Sequence, residues 1–288
     1  MWSYLLAPTP AALRIMLQIC EEFAKEYSVI FNASKSVCLL VSKATSKACT
    51  MSIEDLQFTL DGNCLAFVDK CAHLGHVISS RLDDKCDILS RRSSLCGKVN
   101  NVLCYFSKCD PLVKAELVRS YCSDFYGCVL WDLSHSCIED VCVAWQKGLR
   151  RALGVPWRTH SVLLAHVTDT LPLRDELFCR TAMFVSKCVT SENGIVNFVS
   201  RHGVYFRRVS SPIGHNAQLC CVRFDVPLHR LTSINRNNVR RYVYTQLNVH
   251  SWTASVMKDM LRTKSRQAEI PGFSISDVDF ILEFVCVS

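Results

Sequence analysis

Between Asp83 and Pro156 the chain carries start and stop signals for three successive helices, and this punctuation narrows the fold more than any other feature. Asp83 and Asp84 open the first, since acids at a helix start satisfy free amides and offset the dipole. Ile88, Arg92, Leu95, Val99, Val102 and Phe106 then recur at helical spacing. Asp110-Pro111 opens the second helix, with Ala115, Val118, Cys122, Phe125 and Val129 predicted inward. Ser136 opens the third, which carries Ile138, Val141, Trp145, Leu149 and Leu153 and is stopped by Gly154 and Pro156. A fourth stripe, Leu173, Leu177, Phe184 and Cys188, ends before Asn193-Gly194.

Upstream the signals differ. Thr9 with Pro10 predicts a helix start, followed by Leu13, Met16, Leu17, Cys20, Ala24 and Tyr27 at helical spacing. Val37 to Val41 reads as a strand. Phe58 to Leu60 and Cys64 to Val68 flank Asp61-Gly62-Asn63, a hairpin signal, and His73 to Ile78 supplies another strand. Beyond about residue 200 the pattern breaks into short apolar pieces around Pro212, Gly214 and Pro227, with basic helices predicted over Asn235 to Asn248 and Ser251 to Lys264 and a short apolar one over Asp277 to Val285. The expected fold class is α+β: a small antiparallel segment over 1–80, a helical bundle over 81–192, and a loosely structured, basic helical region over 193–288.

Charge is distributed unevenly. Residues 147–266 hold 19 Lys and Arg against 6 Asp and Glu, whereas the rest of the chain holds 14 against 20. A basic half of this kind suits a polyanionic partner, because each neutralised phosphate releases counterions. A solvated basic face accounts for the charge alone equally well.

The 18 cysteines include no C-x-x-C pair, so neither a zinc hook nor a redox pair is expected. Cys71, His73 and His76 lie close together but lack a fourth ligand. Most cysteines fall on apolar helical faces, where a thiol behaves as a small hydrophobe, which predicts a reduced, intracellular protein, cytoplasmic or nuclear. The apolar stretch from Trp2 to Leu13 has no basic lead and is interrupted by Pro8 and Pro10, so it does not read as a secretory leader. No apolar run reaches the roughly 18 residues that a membrane span requires, and no membrane partner is expected.

Several segments carry a family resemblance: Leu5-Leu6-Ala7-Pro8 and the helix after it, Phe31-Asn32-Ala33-Ser34-Lys35-Ser36, His73-Leu74-Gly75-His76-Val77-Ile78, Phe125-Tyr126-Gly127 through Trp131, and Gly148 through Pro156 with Thr159-His160. In their order and spacing they resemble the reverse transcriptases of non-LTR (LINE-type) retrotransposons. The resemblance implies that residues 1–80 are a palm remnant, 81–192 a thumb-like region and 193–288 a C-terminal extension. The cysteine-histidine knuckle of some relatives is absent.

The family activity is RNA-directed DNA synthesis with Mg²⁺ held by aspartates, two of which directly precede the Leu-Leu-Ala-Pro run. Alignment places Met1 and Trp2 at those two positions, and neither offers the hard oxygen that Mg²⁺ needs. The expectation is a C-terminal fragment with polymerase architecture, no bound cofactor and no polymerase chemistry. Apolar surface left by missing palm and fingers would favour association.

The resemblance gives Lys35 a place near the incoming nucleotide's phosphates, although a solvated lysine before a strand fits it as well. It makes His73, Leu74 and Gly75 a turn that grips a primer end, although Gly75 could equally mark a bulge. Lys147, Arg150, Arg151 and Arg158, with Trp145 and Trp157 nearby, exceed what dipole compensation requires, and RNA or DNA phosphates are the partner expected there. Arg201, Arg207 and Arg208 around Tyr205 and Phe206, and Arg236, Arg240 and Arg241 around Tyr242 and Tyr244, repeat the mixture, but a core aromatic beside surface arginines explains each at least as well. The alternative for the whole chain is a degenerate open reading frame or a helical interaction module without nucleic-acid activity.

Overall fold

The computed structural model describes residues 4–41, 56–207, 210–246 and 251–267. Met1, Trp2, Arg208 and the apolar segment from Asp277 to Val285 lie outside the described residues. The fold is α+β, with helix dominant, and it divides into two compact units, Met1–Cys86 and Asp87–Ser288.

The first unit opens with α1 (Pro10–Tyr27). Pro10 presets the first helical turn and the Thr9 hydroxyl accepts from the Ala12 amide at 3.2 Å, as the sequence predicts. Six short strands follow: β1 (Val37–Cys38), β2 (Thr59–Leu60), β3 (Asn63–Cys64), β4 (Ala66–Phe67), β5 (Lys70–His73) and β6 (His76–Ser79). They do not form the single antiparallel sheet expected. They make three separate pairings among the described residues: β1 with β4 in parallel, and β2 with β3 and β5 with β6 as antiparallel hairpins. Strands of two residues leave too few ladder bonds to extend a sheet sideways.

The β2–β3 hairpin turns at Asp61 (φ 51°) and Gly62 (φ 74°), the paired left-handed residues of a type I′ turn. The Glu21 carboxylate of α1 accepts from the Asp61 amide at 2.7 Å and so ties helix to turn. Leu17, Cys38, Leu56, Phe58, Leu60 and Leu65 form a small core, with Leu5 and Leu13 packed at its margin. The opposite stripe of α1, Ile15, Ile19, Phe23 and Tyr27, is exposed, so Tyr27, which continues the helical spacing of Leu13 and Leu17 in sequence, stands in solvent.

The second unit is helical. Its elements are α2 (Lys85–Tyr105, which begins at the end of the first unit), α3 (Pro111–Cys122), α4 (Cys137–Leu153), α5 (Ser161–Val167), α6 (Leu173–Val189), α7 (Gly194–Arg201), α8 (Pro212–Phe224), α9 (Arg236–Gln246) and α10 (Ser251–Gln267). The Asp110 carboxylate accepts from Leu112 and Val113 at 2.8 and 3.4 Å, the cap that Asp110-Pro111 predicts. Gly154, at φ 65°, stops α4 in the left-handed conformation that glycine adopts without strain. Ser136 does not cap α4 with its side chain; the His135 imidazole accepts from the Cys137 amide instead, at 3.1 Å.

One core runs from Ile88 to Leu261, so the helices on either side of residue 193 share their packing rather than forming a separate loose extension. Helix α6 lies at the centre, against α4, α7, α8 and α9. Trp131 and Trp145 both pack edge-on to Phe125. Asn216 of α8 accepts from the Leu133 amide at 3.1 Å and donates to the Trp131 carbonyl at 2.8 Å, satisfying buried backbone that lies between helices. Among the described residues no helix is long and apolar enough to cross a membrane.

Candidate nucleic-acid interface

The end of α4 is built by its glycine stop. Gly154 reverses the chain so that the Val155 amide donates back to the Arg150 carbonyl at 3.1 Å, and the segment through His160 then runs past the last turn of the helix. Four predicted cations thus come from one short stretch, but they do not play one role. Arg150 is half-buried, and its Nε donates to the Thr159 carbonyl at 3.0 Å. Burial lowers its pKa from the ordinary value. Arg150 is therefore a clamp that holds the 155–160 segment against α4 through its Nε.

The other three face solvent. Lys147 is exposed and makes no ion pair or hydrogen bond among the described residues. Arg151 is exposed and donates to the Asn100 side chain of α2 at 2.7 Å, which orients its guanidinium while keeping its charge open. Arg158 stacks over Trp157, 5.1 Å from the ring centroid, and that indole is 79% exposed. An exposed tryptophan sheathed by a guanidinium combines a stacking face with a phosphate donor. Trp145, expected beside these cations, is 5% exposed and belongs to the core.

The basic cluster of α9 resolves differently. Arg236 pairs with buried Glu176 at 2.9 Å, and Arg240 pairs with Asp169 while lying over Tyr244. The Tyr244 hydroxyl donates to the Thr170 carbonyl at 2.6 Å, and Tyr242 packs against the core. The hydrogen bond from Arg240 holds the Asp169 carboxyl below its usual range. These groups fasten α9 to α5 and α6. Arg241 remains exposed.

In the first unit, Lys35 ends a single 3-10 turn, Ala33–Lys35. The Asn32 side chain accepts from the Lys35 amide at 3.1 Å and from the Ser34 hydroxyl at 2.6 Å, leaving the lysine side chain exposed. His73, Leu74 and Gly75 form a different kind of feature from the continuous strand expected. Leu74 (φ 47°) and Gly75 (φ 78°) are the two central residues of a type I′ hairpin between β5 and β6. Gly75 is thus a turn glycine rather than a bulge. Leu74 is 69% exposed and held in a backbone region that costs a residue with a Cβ roughly 1–2 kcal/mol.

His73 faces His76 across the hairpin and meets the Tyr4 ring at 3.8 Å, with its Nδ1 buried and without a hydrogen-bond partner among the described residues. Lys35 precedes β1, whose partner is β4, whereas the Leu74 turn joins β5 and β6. The two candidate sites of this unit thus belong to separate pairings.

Cys71 stands opposite Ile78 in the same ladder, and no group of three or more His, Cys, Asp or Glu side chains suited to a metal occurs among the described residues. Comparison of the chain with family models, curated proteins and solved structures finds no match.

Proposed function

We propose that this polypeptide is the palm-end, thumb and C-terminal part of a reverse transcriptase of the non-LTR type, and that it binds RNA or DNA without polymerising. The observation that carries the binding half is the surface at the end of α4, where Lys147, Arg151, Arg158 and the 79% exposed Trp157 stand free of acidic partners among the described residues. Burying such a cluster against phosphates gains counterion entropy, and leaving a tryptophan in water has no structural benefit. The order of the motifs supports the family assignment.

On this reading α2 to α6 are the thumb and β5–β6 the primer-end turn, with Lys35 on the nucleotide side. A second reading, a helical interaction module, draws on the exposed α1 stripe of Ile15, Ile19, Phe23 and Tyr27. The two readings are separated by titrating a fluorescent 20-nucleotide RNA or DNA with the wild-type chain and with Lys147→Gln/Arg151→Gln/Arg158→Gln. The nucleic-acid reading expects binding that this variant weakens at least about tenfold, because each phosphate contact contributes. Primed-template assays with Mg²⁺ are expected to show no extension. Extension, or the same affinity in both proteins, would contradict it.

A further inference from the structure

Resting on the nucleic-acid reading, we infer that the outer face of α7 and of the π-helical turn after it is a stacking platform for the unpaired bases of single-stranded nucleic acid. Its centre is a ladder of three aromatic rings. Phe198 stacks on His202 with centroids 6.2 Å apart and planes 18° from parallel, and His202 stacks on Phe206 at 5.6 Å and 22°. The outer rings stand in solvent, Phe198 at 72% exposure and Phe206 at 77%.

The ladder depends on an irregular helix. In a regular α-helix a side chain four positions on is rotated by roughly 40°, so the third ring would drift off the line of the first two. After Arg201 the chain instead makes a π-helical turn, His202–Phe206, in which the Arg207 amide donates to the His202 carbonyl at 3.1 Å. The wider turn holds Phe206 back into register. Such turns are rare and recur at functional positions. Packing locks the turn in place: a Cβ on Gly203 would stand 2.7 Å from both the Ile213 side chain and the Ser211 hydroxyl. The inner side of the turn is thus fixed against α8 and the rings are fixed outward.

Charge decides the occupant. From Asn193 to Phe224 the chain contains no Asp or Glu, and Arg201 and Arg207 flank the rings without an ion pair among the described residues. A second copy of the chain would bring these arginines against their own counterparts, a like-charge contact that costs free energy. A single strand offers both phosphates for the guanidiniums and flat faces for the rings, whereas duplex bases are already stacked on one another.

The test compares wild-type full chain with Phe198→Ala/Phe206→Ala, using labelled U20 and dT20 single strands and a 20-base-pair duplex, with sedimentation of both proteins. Both rings are exposed, so an unchanged circular dichroism spectrum and melting temperature are expected. The platform predicts at least about a tenfold loss of single-strand affinity, given the usual worth of base stacking, with duplex affinity unchanged within twofold. Single-strand affinity equal to wild type, or an equal loss on duplex, overturns the platform. If the Gln variant of the α4 surface is weakened in the same assay, the broader binding reading survives that result. Binding of neither nucleic acid by wild type overturns both. Dissociation of a wild-type dimer by the double variant, with affinity unchanged, would instead make the ladder a self-association face and would also overturn the platform.

Discussion

The indole Nε1 of Trp131 donates to the carboxylate of Asp87 at 2.7 Å, joining two buried residues 44 positions apart. Asp87 lies in the first turn of α2 with Arg91 one turn on, 3.9 Å away, while Trp131 ends the 3-10 turn before α4. A carboxylate 1% exposed is tolerated in an apolar core only because donors converge on it.

Trp131→Phe is therefore expected to cost about 2–4 kcal/mol, combining the loss of a charge-assisted hydrogen bond with the cavity left by the smaller ring. Urea unfolding followed by circular dichroism checks this. Asp87→Asn, which keeps an acceptor for the indole, is expected to cost less.

The hairpin turn at Leu74 stores strain. Leu74→Asn, placing there a residue that visits the left-handed region more readily, is expected to stabilise the β5–β6 hairpin by about 1 kcal/mol. Amide exchange in residues 70–79 should slow about fivefold, that free energy expressed as a change in local opening. No slowing would mean that Leu74 pays for its backbone through contacts of its own.

Thiol titration gives a pH prediction. Burial pushes Cys142 from 9.0 up to about 12 and Cys179 up to about 11, so the folded state keeps both protonated where the unfolded chain ionises them. Stability is thus complete below pH 9 and falls as pH rises from about 9 towards 11–12, since the unfolded state alone gains from losing the protons. Cys142→Ala should flatten that alkaline decline in a series of urea midpoints, even if it lowers the midpoint at pH 7. Under native conditions a thiol reagent should modify exposed Cys64, Cys86, Cys96 and Cys104 well before buried Cys128, Cys142, Cys179 and Cys220.

What could be read in the sequence was whatever local chemistry dictates. Thr9-Pro10, Asp110-Pro111, Asp61-Gly62 and Gly154 each act through their own backbone or the next few amides, and each stands where expected. Helix α5 is only seven residues long and is capped by His160, an uncommon capping residue, so it has little local signature. Asn193-Gly194 reads as a stop for α6, but Asn193 also caps α7, accepting from Ile195 and Val196. Pro212 and Gly214 read as breakers, but Pro212 begins α8. The parallel pairing of Val37 with Ala66 is a long-range contact that no short segment encodes.

The candidate site shows the same limit. Arg150 and Arg151 are neighbours in sequence and both basic, yet a helix turns successive side chains about 100° apart. One is clamped to Thr159 and the other faces solvent beside Asn100. Trp145 and Trp157 are equally aromatic on paper, and only packing separates a core ring from an exposed one. The Phe198, His202 and Phe206 ladder could have been suspected from its spacing of four. Its alignment depends on a π-helical turn that the sequence does not announce.

The salt dependence of binding tests the central claim most directly. Anisotropy titrations of a labelled 20-nucleotide strand between 50 and 300 mM salt, scales chosen to span roughly the range in which counterion release dominates, give the slope of log Kobs against log salt. The account predicts a clearly negative slope for the wild-type chain, and a slope flatter by about 2 for Lys147→Gln/Arg151→Gln/Arg158→Gln, since each lost phosphate contact removes about 0.7 on a single strand. A wild-type slope indistinguishable from zero, or an unchanged slope in the variant, would contradict it.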